Sequence, residues 1–408
     1  MPELNRTQKT YRLELRRAVA NGILEAAGGT FLLLIAVKWF RAGATAKGLV
    51  AAGGSMGLML TPMVVSGVTS LGWPTAVAAS RLAAAGGLVF LIMAAIPWEP
   101  IYVIGSVLSM ATASAAIPLM TQIYQENYPE NERGTLFSRA VMVRISAAAL
   151  FSAAAGRVLS ANLANFRWLL VIFAAAFGFA SLCLSEYPSR PLSKEGGSHP
   201  FRAMRFVRDD RLFRHTLICW MFMGFANLMM LPMRVEYLAN PRYGLALDAG
   251  VIALVTGVVP NMARLVMSPI WGYLFDRMNF FVLRVTLNVG FAAGILTFFL
   301  SDDFPGFILG ALIFGVSNAG GDVAWGLWVT KFAPPDRVAD YMSVHTFFTG
   351  VRGVIAPLVA FHLVGSVRLP VLGWISAGLI GAASLMLLPE IKSIGRPRIP
   401  AIVEDVSE

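Results

Sequence analysis

The sequence has 408 residues, of which 57% are hydrophobic and 14% are charged, and its mean hydropathy is +0.67. A soluble globular domain usually carries about 25% charged residues, and polar surface must cover its apolar interior. The composition therefore excludes a soluble globular protein and indicates an integral membrane protein. The formal net charge of +10 would suit a nucleic-acid-binding protein. The positions of the charged residues along the chain give another explanation, which is described below.

Twelve apolar stretches are long enough to cross a bilayer as α-helices, because a span needs about 20 mostly apolar residues. The stretches are continuous, whereas the strands of a transmembrane β-barrel alternate in polarity over about ten residues. The sequence therefore predicts an all-α integral membrane protein with twelve transmembrane helices. The predicted spans lie at 18–38, 45–69, 77–97, 101–123, 139–160, 167–185, 214–238, 249–275, 280–300, 305–330, 341–364 and 370–389.

One long polar segment, residues 186–213, divides the predicted spans into six and six. We therefore expect an N-terminal six-helix bundle at 1–185, a basic cytoplasmic linker at 186–213 and a C-terminal six-helix bundle at 214–408. Several residues recur in the two bundles at an offset of 205 positions, which indicates an internal duplication and two pseudo-symmetric halves. The recurring pairs include Pro100 and Pro305, Gly105 and Gly310, and Gly67 and Gly272.

The Lys and Arg residues are distributed unevenly among the loops. If the N-terminus lies in the cytoplasm, the tails and the loops after even-numbered spans hold 22 of the 33 Lys and Arg residues. This asymmetry follows the positive-inside rule and predicts that both termini are cytoplasmic. Topology and attraction to anionic lipid then explain the net charge without nucleic-acid binding. The outward loops hold only Lys38, Arg41, Lys47, Arg157, Arg167, Arg242 and Arg368.

A local motif lies between predicted spans eight and nine, where the sequence reads Gly272-Tyr273-Leu274-Phe275-Asp276-Arg277 and continues to Arg284. It resembles the loop signature of the major facilitator superfamily, which has Gly, three residues, Asp-Arg and then basic residues. The length, the six-plus-six spans and the basic central segment resemble that family over essentially the whole chain. The first copy of the motif departs from the signature, because Leu71-Gly72 stands where Asp-Arg is expected.

The resemblance implies the fold of that superfamily and a secondary active transporter whose two halves rock by alternating access. In such repeats the solute site lies at the interface of the halves, near the bilayer midplane. The resemblance also implies a gating loop formed by Gly272, Asp276, Arg277 and Arg284. This loop would pack near Phe137–Arg139, at the start of span five, and hold the cytoplasmic side shut while the cavity faces outward. The alternative is an ordinary turn whose charges face water.

Five ionisable residues stand out within the predicted spans, where a charge at mid-bilayer costs at least about 2.5–3.5 kcal/mol. Carboxylates and guanidiniums buried together should pair, because an unpaired buried charge is costlier still. In one hypothesis the carboxylates carry protons and the arginines tune them. In a second, an arginine binds an anionic group of the solute. In a third, the charges form only a structural or gating network. The residues are Glu25, Arg144, Arg264, Asp322 and Arg352.

Amide side chains within the spans are a second set of candidates for contact with solute, although such a group usually bonds only to a neighbouring helix. These cavity candidates are Gln122, Asn227, Asn261 and Asn318. The sequence has no phosphate-cradling loop, no His-Glu-x-x-His and no Cys-x-x-Cys motif. We therefore expect no enzymatic activity, no ATP-driven step, no metal site and no cofactor.

The preferred hypothesis is a proton-coupled secondary active transporter in a bacterial inner membrane, functional as a monomer. Its partners would be a small-molecule solute, a proton or other coupling ion, and the lipid bilayer. One alternative is an uncoupled facilitator or exchanger of an organic anion that Arg352 and Arg264 recognise. Another is a non-transporting ligand sensor of the same fold, and a membrane-embedded enzyme is the third.

Reporter fusions test the predicted orientation. A fluorescent protein fused to the C-terminus should fluoresce in the cytoplasm, and alkaline phosphatase at the same point should be inactive, because its disulfides need an oxidising compartment. Insertion at Ala246, in the loop between predicted spans seven and eight, should reverse both signals. Fluorescence from the Ala246 insertion, with none from the C-terminal fusion, would contradict the orientation.

Overall fold

The computed structural model describes residues 3–129, 132–192, 201, 204–331 and 338–393, and nearly all of these residues are helical. Short 3-10 or π-helical turns join or interrupt several of the α-helices. The α-helices cover Glu3–Ala26, Leu32–Lys38, Ala44–Leu71, Thr75–Ala95, Glu99–Ala115, Ile117–Asn127, Arg133–Ala161, Phe166–Ser185, Arg205–Asp209, Arg211–Ala239, Ala249–Ala253, Val259–Arg277, Phe280–Leu300, Phe304–Leu327, Val338–Leu363 and Leu369–Ser393.

Within the described ranges, twelve helical segments are long and apolar enough to cross a membrane. The prediction of an all-α membrane protein with twelve spans is confirmed, and each observed span overlaps its predicted counterpart. We name the segments spans 1 to 12 in chain order. They are Arg6–Lys38, Ala44–Leu71, Thr75–Ala95, Glu99–Asn127, Thr135–Ala161, Leu163–Ser185, Arg211–Ala239, Ala249–Phe275, Phe280–Leu300, Phe304–Trp325, Tyr341–Leu363 and Leu369–Ile391.

Span 1 begins before its predicted position, because the basic residues ahead of the apolar stretch continue the helix. Arg17 donates to Glu14 at 3.0 Å and to the hydroxyl of Tyr124 at 2.8 Å, and Tyr187 donates to Glu14 at 2.6 Å. Burial raises the pKa of Tyr187 well above its usual value, so the phenol stays a donor. These bonds satisfy buried polar groups and hold the first turns of span 1 against span 4 and the residues after span 6.

We call spans 1–6 the N-terminal half and spans 7–12 the C-terminal half. Because the number of spans is even, both chain ends lie on one side of the bundle, which we call the termini face. The loops after odd-numbered spans lie on the opposite face. Most contacts between the halves join span 2 to span 11, span 5 to span 8 and span 1 to span 7. A site between the halves is therefore built from these spans and their neighbours.

Buried aromatic rings pack together within each half. In the N-terminal half, the ring of Phe90 in span 3 lies 5.5 Å from that of Phe173 and 5.8 Å from that of Phe177, both in span 6. In the C-terminal half, the rings of Phe298 in span 9 and Phe307 in span 10 are 5.4 Å apart. Such contacts tie the spans of one half together, and the buried hydrophobic cluster is continuous across both halves.

The segment between the halves is described only in part. Residues 193–200 and 202–203 of the predicted linker 186–213 lie outside the described residues, so its role as a linker between two domains stays a prediction. Span 7 begins directly after Asp210, whose side chain accepts the backbone N–H of Phe213 at 2.9 Å. Tyr341 of span 11 donates to the same carboxylate at 2.9 Å. The start of span 7 is thereby fixed to span 11.

Gly22 allows the close packing of span 1 against span 5. A methyl group at this position would lie 2.7 Å from the Cβ of Ala147 and 2.8 Å from the backbone nitrogen of Ala148. Gly22→Ala should push the spans apart at a cost of about 1–3 kcal/mol and lower the melting temperature of the purified protein in detergent. Gly29→Ala in the same span is the control, because nothing lies within 4 Å of the added group. Equal melting temperatures for the two variants would contradict this packing.

Candidate functional site

Arg264 of span 8 lies between two carboxylates that come from different halves of the protein. Its Nη1 donates to Oε1 of Glu25, in span 1, at 2.5 Å and to Oδ1 of Asn261 at 2.8 Å. Its Nε and Nη2 donate to Oδ2 of Asp322, in span 10, at 3.2 and 2.7 Å. Arg144 of span 5 completes the group, because its Nε lies 3.0 Å from Oε2 of Glu25. We call Glu25, Arg144, Arg264 and Asp322 the central cluster.

Close helix packing brings these side chains together. Gly22, one turn before Glu25, allows span 1 to approach span 5. Gly315 has the same effect between spans 10 and 8, because a side chain there would lie 2.5 Å from the carbonyl oxygen of Pro260. Pro260 stands one turn before the arginine of span 8. The contact therefore brings that guanidinium within reach of Asp322, two turns further along span 10.

Two π-helical turns lie beside the central cluster. One, Ala27–Phe31 in span 1, begins directly after the turn that carries the glutamate, and the other, Leu254–Val258 in span 8, precedes the arginine. They face each other, since the Oγ1 atoms of Thr30 and Thr256 are 3.1 Å apart. A π-helical turn inserts one residue into a helix and is frequent at functional sites. Both turns thus set the register of the side chains that pair across the halves.

The central cluster is electrically balanced, and its two carboxylates are partly exposed. Two arginines face two carboxylates, and the side chains of Asp322 and Glu25 are 42% and 29% exposed, against 8% for Arg264. Of the two carboxylates, Glu25 pairs across the halves and Asp322 pairs within the C-terminal half. Protonation of either carboxylate would remove a counter-charge from Arg264 and leave buried charge uncompensated. The arrangement can therefore link the gain of a proton to the loss of an ion pair.

On the opposite face, a buried ion pair holds the two halves together. The Nζ of Lys47, in span 2, lies 2.6 Å from Oε1 of Glu236, near the end of span 7, and the side chains are 9% and 0% exposed. The same ammonium lies 5.2 Å from the ring centroid of Phe361 in span 11. Removing one member of such a buried pair typically costs about 3–5 kcal/mol, because the other charge is left uncompensated. This pair is therefore a strong link across the closed face.

A second link on the opposite face joins span 5 to the start of span 8. Ser160 donates to Asp248, which also accepts the backbone N–H of Gly250 at 2.7 Å. The hydrogen bond from Ser160, followed by those from the backbone, holds the pKa of Asp248 below its usual value. Because the pKa of Asp248 is lower in the folded protein than in the unfolded chain, its ionised carboxylate stabilises the fold at pH values above about 3.9, the ordinary pKa of aspartate. That stabilisation is lost as the pH falls through the lower pKa of the folded state. The link is therefore insensitive to pH between about 5 and 8.

Toward the termini face, the described side chains form no bond of this kind with one another between the halves. Among the described side chains, each hydrogen bond or ion pair between the halves lies at the central cluster, beside it, or on the opposite face. The central cluster is therefore the described polar link between the halves that lies nearest the termini face.

Of the predicted gating residues, Gly272, Arg277 and Arg284 show no described bond to the N-terminal half. Gly272 has no atom within 4 Å of the position that a side chain would take. Arg277 donates to the hydroxyl of Tyr273 on its own helix and lies 4.1 Å above that ring. The side chain of Asp276 lies outside the described residues, and Arg284 is buried inside the C-terminal half. The gate stays a prediction for a state in which the termini face is closed.

Of the other predicted site residues, only Asn261 contacts the central cluster. Arg352 of span 11 is buried within the C-terminal half, where it forms a different group of side chains. Gln122 donates to a glutamate one turn further along span 4, at 2.8 Å. Oδ1 of Asn227 is buried with no hydrogen-bond partner in the described part of the chain, and Asn318 is half-buried on span 10. Their contact with solute stays a prediction.

Sequence reasoning missed the ion pair between Lys47 and Glu236. Both residues lie near the ends of predicted spans, where a charge is usually interfacial and faces water or lipid headgroups. One signal was available, because Glu236 is the only acid within the predicted span 214–238. An acid inside a membrane span indicates a paired charge.

The protein offers little for metal chemistry. Within the described ranges, no group of three His, Cys, Asp or Glu side chains could hold a metal ion. Both cysteines, Cys183 and Cys219, are buried free thiols. The described ionisable groups that do come together include Arg–carboxylate pairs, whose chemistry is ion pairing and proton exchange.

Comparison with known families gives one match over most of the chain. The sequence pattern described as the Major Facilitator Superfamily matches residues 75–357. A comparison with curated proteins finds no match.

Solved transporter structures are similar to the fold. A mutant of the nucleoside transporter NupG has a TM-score of 0.74 and 14% identity, over 93% of this chain and 99% of that one. A D-xylose-proton symporter has a TM-score of 0.66 and 15% identity, over 95% and 96%. The xylose transporter XylE from E. coli, in a partially occluded inward open conformation, has a TM-score of 0.65 and 15% identity, over 94% and 96%. At these identities the similarity establishes the fold.

Cross-linking tests the lock on the opposite face. Oγ1 of Thr45 lies 3.2 Å from Nε2 of His362, so a Thr45→Cys/His362→Cys pair should link span 2 to span 11 through a short bifunctional thiol reagent. Glu236→Gln leaves Lys47 buried and unpaired. We therefore expect Glu236→Gln to lower the cross-linking yield severalfold by opening this face.

Asp209→Asn is the matched control for the cross-linking experiment. Asp209 also pairs with a basic residue, Arg208, but the two side chains are 51% and 86% exposed, so the pair should contribute little. The yield should therefore equal that of the parent cysteine pair. If Glu236→Gln also gives the parent yield, the buried pair does not lock the face.

Proposed function

Because the chain belongs to the Major Facilitator Superfamily, we propose that it is a secondary active transporter that moves a small solute by alternating access, with transport coupled to protons. The proposal rests on one observation above all. A single arginine of the C-terminal half, Arg264, is shared between a carboxylate of the N-terminal half and one of its own half. The state of that arginine therefore connects protonation to the contact between the halves.

Alternating access is supported by the asymmetry of the interface between the halves. The Lys47–Glu236 pair and the Ser160–Asp248 bond hold the opposite face closed. No comparable contact joins the described side chains near the termini face. In the proposed cycle, these bonds break when the opposite face opens, and the loop at Gly272–Arg277 closes against span 5. The arrangement described here is then the state open to the termini face.

Proton coupling is supported by the exposure and pairing of the two carboxylates. Glu25 forms ion pairs with Arg144 and Arg264, and Asp322 forms one with Arg264. Both carboxylates are partly exposed, so a proton can reach them. A proton on Glu25 weakens the link between span 1 and span 8, which frees the halves to reorient. Release of the proton on the other side restores the ion pair and resets the cycle.

Two sequence-based alternatives are less well supported. Recognition of an organic anion by Arg352 together with Arg264 requires that these residues share a site, but Arg352 does not reach the central cluster. Arg264 has two acidic partners already, so its charge is not free for a solute. A non-transporting sensor of the same fold has no specific observation in its favour.

The proposed setting is a bacterial inner membrane with both termini in the cytoplasm. The support is the excess of Lys and Arg on the termini face. With this orientation, the termini face, open in the proposed cycle, lies on the cytoplasmic side. Each chain holds its own central cluster and its own interface between halves, which supports a functional monomer.

Proton movement in liposomes tests the proposal. Purified protein is reconstituted with a pH-sensitive dye inside, and pools of nucleosides, sugars, short peptides and organic acids are added outside. We expect one pool to acidify the interior. Glu25→Gln and Asp322→Asn, which mimic a permanently protonated carboxyl, should lower this signal at least tenfold, because the carboxyl can no longer exchange its proton. Exchange of labelled solute between the two sides should persist.

Glu186→Gln is the control for loss of an acid as such. Glu186 is exposed just beyond span 6 and should not affect proton movement. Acidification that survives in both Glu25→Gln and Asp322→Asn would rule out these residues as proton carriers. Solute uptake with no proton movement in the parent protein would indicate an uncoupled carrier.

A further inference from the structure

Three buried arginines of the C-terminal half, Arg234, Arg284 and Arg352, form no ion pair with a described acidic side chain, and two of them lie together. Arg284 of span 9 and Arg352 of span 11 are 2% and 5% exposed. Their guanidinium carbons lie 3.8 and 5.9 Å from the ring centroid of Trp220 in span 7. Neither forms an ion pair with an acidic side chain that the structure describes. Two positive charges thus share one indole inside the spans, with no counter-charge.

The hydrogen-bonding capacity of both guanidiniums is largely unused. Each carries five N–H donors, yet Nη2 of Arg284 donates to the sulfur of Met223 at 3.0 Å, and a thioether is a weak acceptor. Nη1 of Arg352 donates to the carbonyl oxygen of Trp220, whereas its Nε is buried without a hydrogen-bond partner in the described chain. Buried donors with a full charge are costly unless an acceptor compensates them.

His345 of span 11 adds a third polar group to the same place. It is fully buried, and neither ring nitrogen has a hydrogen-bond partner among the described residues. Its ring lies 5.2 Å from that of Trp220 and 5.1 Å from that of Trp328. Most buried polar side-chain atoms in proteins are hydrogen-bonded, and an exception calls for an explanation such as a ligand. Arg284, Arg352 and His345 therefore all lie near Trp220 with N–H groups that lack a strong hydrogen-bond acceptor. An anion would supply that acceptor.

Span 10 connects this group to the central cluster. Trp325 follows Asp322 by three residues, so the two side chains lie on neighbouring positions of one helix face. The indole of Trp325 is half-buried and lies 5.7 Å from the ring of His345. A solute held beside Asp322 would therefore be separated from Arg284 and Arg352 by the side chain of Trp325.

We propose that Arg284, Arg352 and His345 bind the anionic group of an organic solute, a carboxylate or a phosphate. The inference rests on the proposed transport function, because it names the chemical class of the solute. Guanidinium forks match the paired oxygen atoms of these anions, and the bonds are charge-assisted. The ligand supplies the negative charge and the acceptor atoms that this part of the protein lacks. Trp325 contacts the body of the solute between this site and the central cluster.

The contrast with Arg264 supports this assignment. Arg264 has two carboxylate partners and an amide oxygen, so its charge is balanced within the protein. Arg284 and Arg352 have an aromatic ring, a sulfur atom and one carbonyl oxygen instead. Cation–π contact with an indole offsets part of the cost of a buried guanidinium but does not neutralise it. The protein thus separates the arginine that responds to protons from the arginines available to an anion.

Equilibrium binding to the purified full chain in detergent tests the proposal without a transport assay. The probes are succinate, benzoate and inorganic phosphate, with uridine and D-xylose as neutral comparators. Quenching of tryptophan fluorescence reports binding, because Trp220 lies against both guanidiniums, and the melting temperature gives a second readout. We expect at least one anion to bind. Its Kd should rise about tenfold to a hundredfold in Arg284→Gln and in Arg352→Gln, as for loss of a hydrogen bond to a charged group.

Arg234→Gln is the matched control. Arg234 is likewise a buried arginine of the C-terminal half that lies against an aromatic ring, with its guanidinium carbon 4.0 Å from the centroid of Phe314. It is about 21 Å along span 7 from Trp220, so its loss should leave the Kd unchanged. Where a glutamine variant does not fold, Arg284→Lys keeps the charge without the fork and should still weaken binding severalfold.

The outcomes separate this inference from the proposed function. No binding of any anion, binding of neutral probes alone, or an unchanged Kd in both glutamine variants would overturn the anion site and leave proton coupling standing. Anion binding lost in those variants, without solute-driven proton movement in liposomes, would support the anion site and overturn proton coupling. Quenching by phosphatidylglycerol vesicles with none by the soluble anions would assign the arginines to a lipid headgroup and also overturn the proposal.

Discussion

Arg264 carries a permanent positive charge within the membrane-spanning part of the protein, and the interface between the halves is organised around its neutralisation. A guanidinium at this depth is costly unless acids surround it. Glu25 comes from span 1 and Asp322 from span 10, so the requirement for neutral charge draws together helices that are distant in sequence. Any change in the protonation of these acids must therefore change the free energy of contact between the halves.

Ion pairs at two depths connect the halves, and they differ in their exposure to solvent. The Lys47–Glu236 pair is sealed from solvent on the opposite face, whereas the carboxylates of the central cluster remain partly exposed. The sealed pair suits a lock, because neither charge can be solvated until the face opens. The exposed pair suits an exchange site, because a proton can enter without separation of the halves. Asp248, whose pKa is lowered by its hydrogen bonds, adds a link that does not respond to physiological pH.

The arginines of the C-terminal half fall into two chemical situations. Arg264 is balanced by acids, whereas Arg234, Arg284 and Arg352 have no acidic partner among the described side chains, and the last two share one indole. The second situation is hard to explain as packing alone, since a leucine or phenylalanine would fill the same volume without the cost of desolvation. An anionic solute that completes this charge, together with a proton that relaxes the first site, would give coupled transport from two separate sites. The half-buried Trp325 stands between them on one face of span 10.

The amino-acid sequence by itself determined the class of the protein, its twelve spans and the family it resembles, because long apolar runs leave the backbone no stable arrangement in lipid other than helices. It also identified four of the charges that meet, since any ionisable residue inside a span needs a partner. Tertiary structure alone decided which charges pair. The sequence predicted separate roles for Arg352 and Arg284, and only the structure shows that both lie beside Trp220. Lys47 and Glu236 lie near the ends of predicted spans, which indicated the membrane–water interface, but the packing of the two halves buries both side chains. The position of a residue along an apolar run gives its depth in the membrane. Which sides of two helices face each other depends instead on close contacts between them, such as those at Gly22 and Gly315, and no local sequence pattern predicts these contacts.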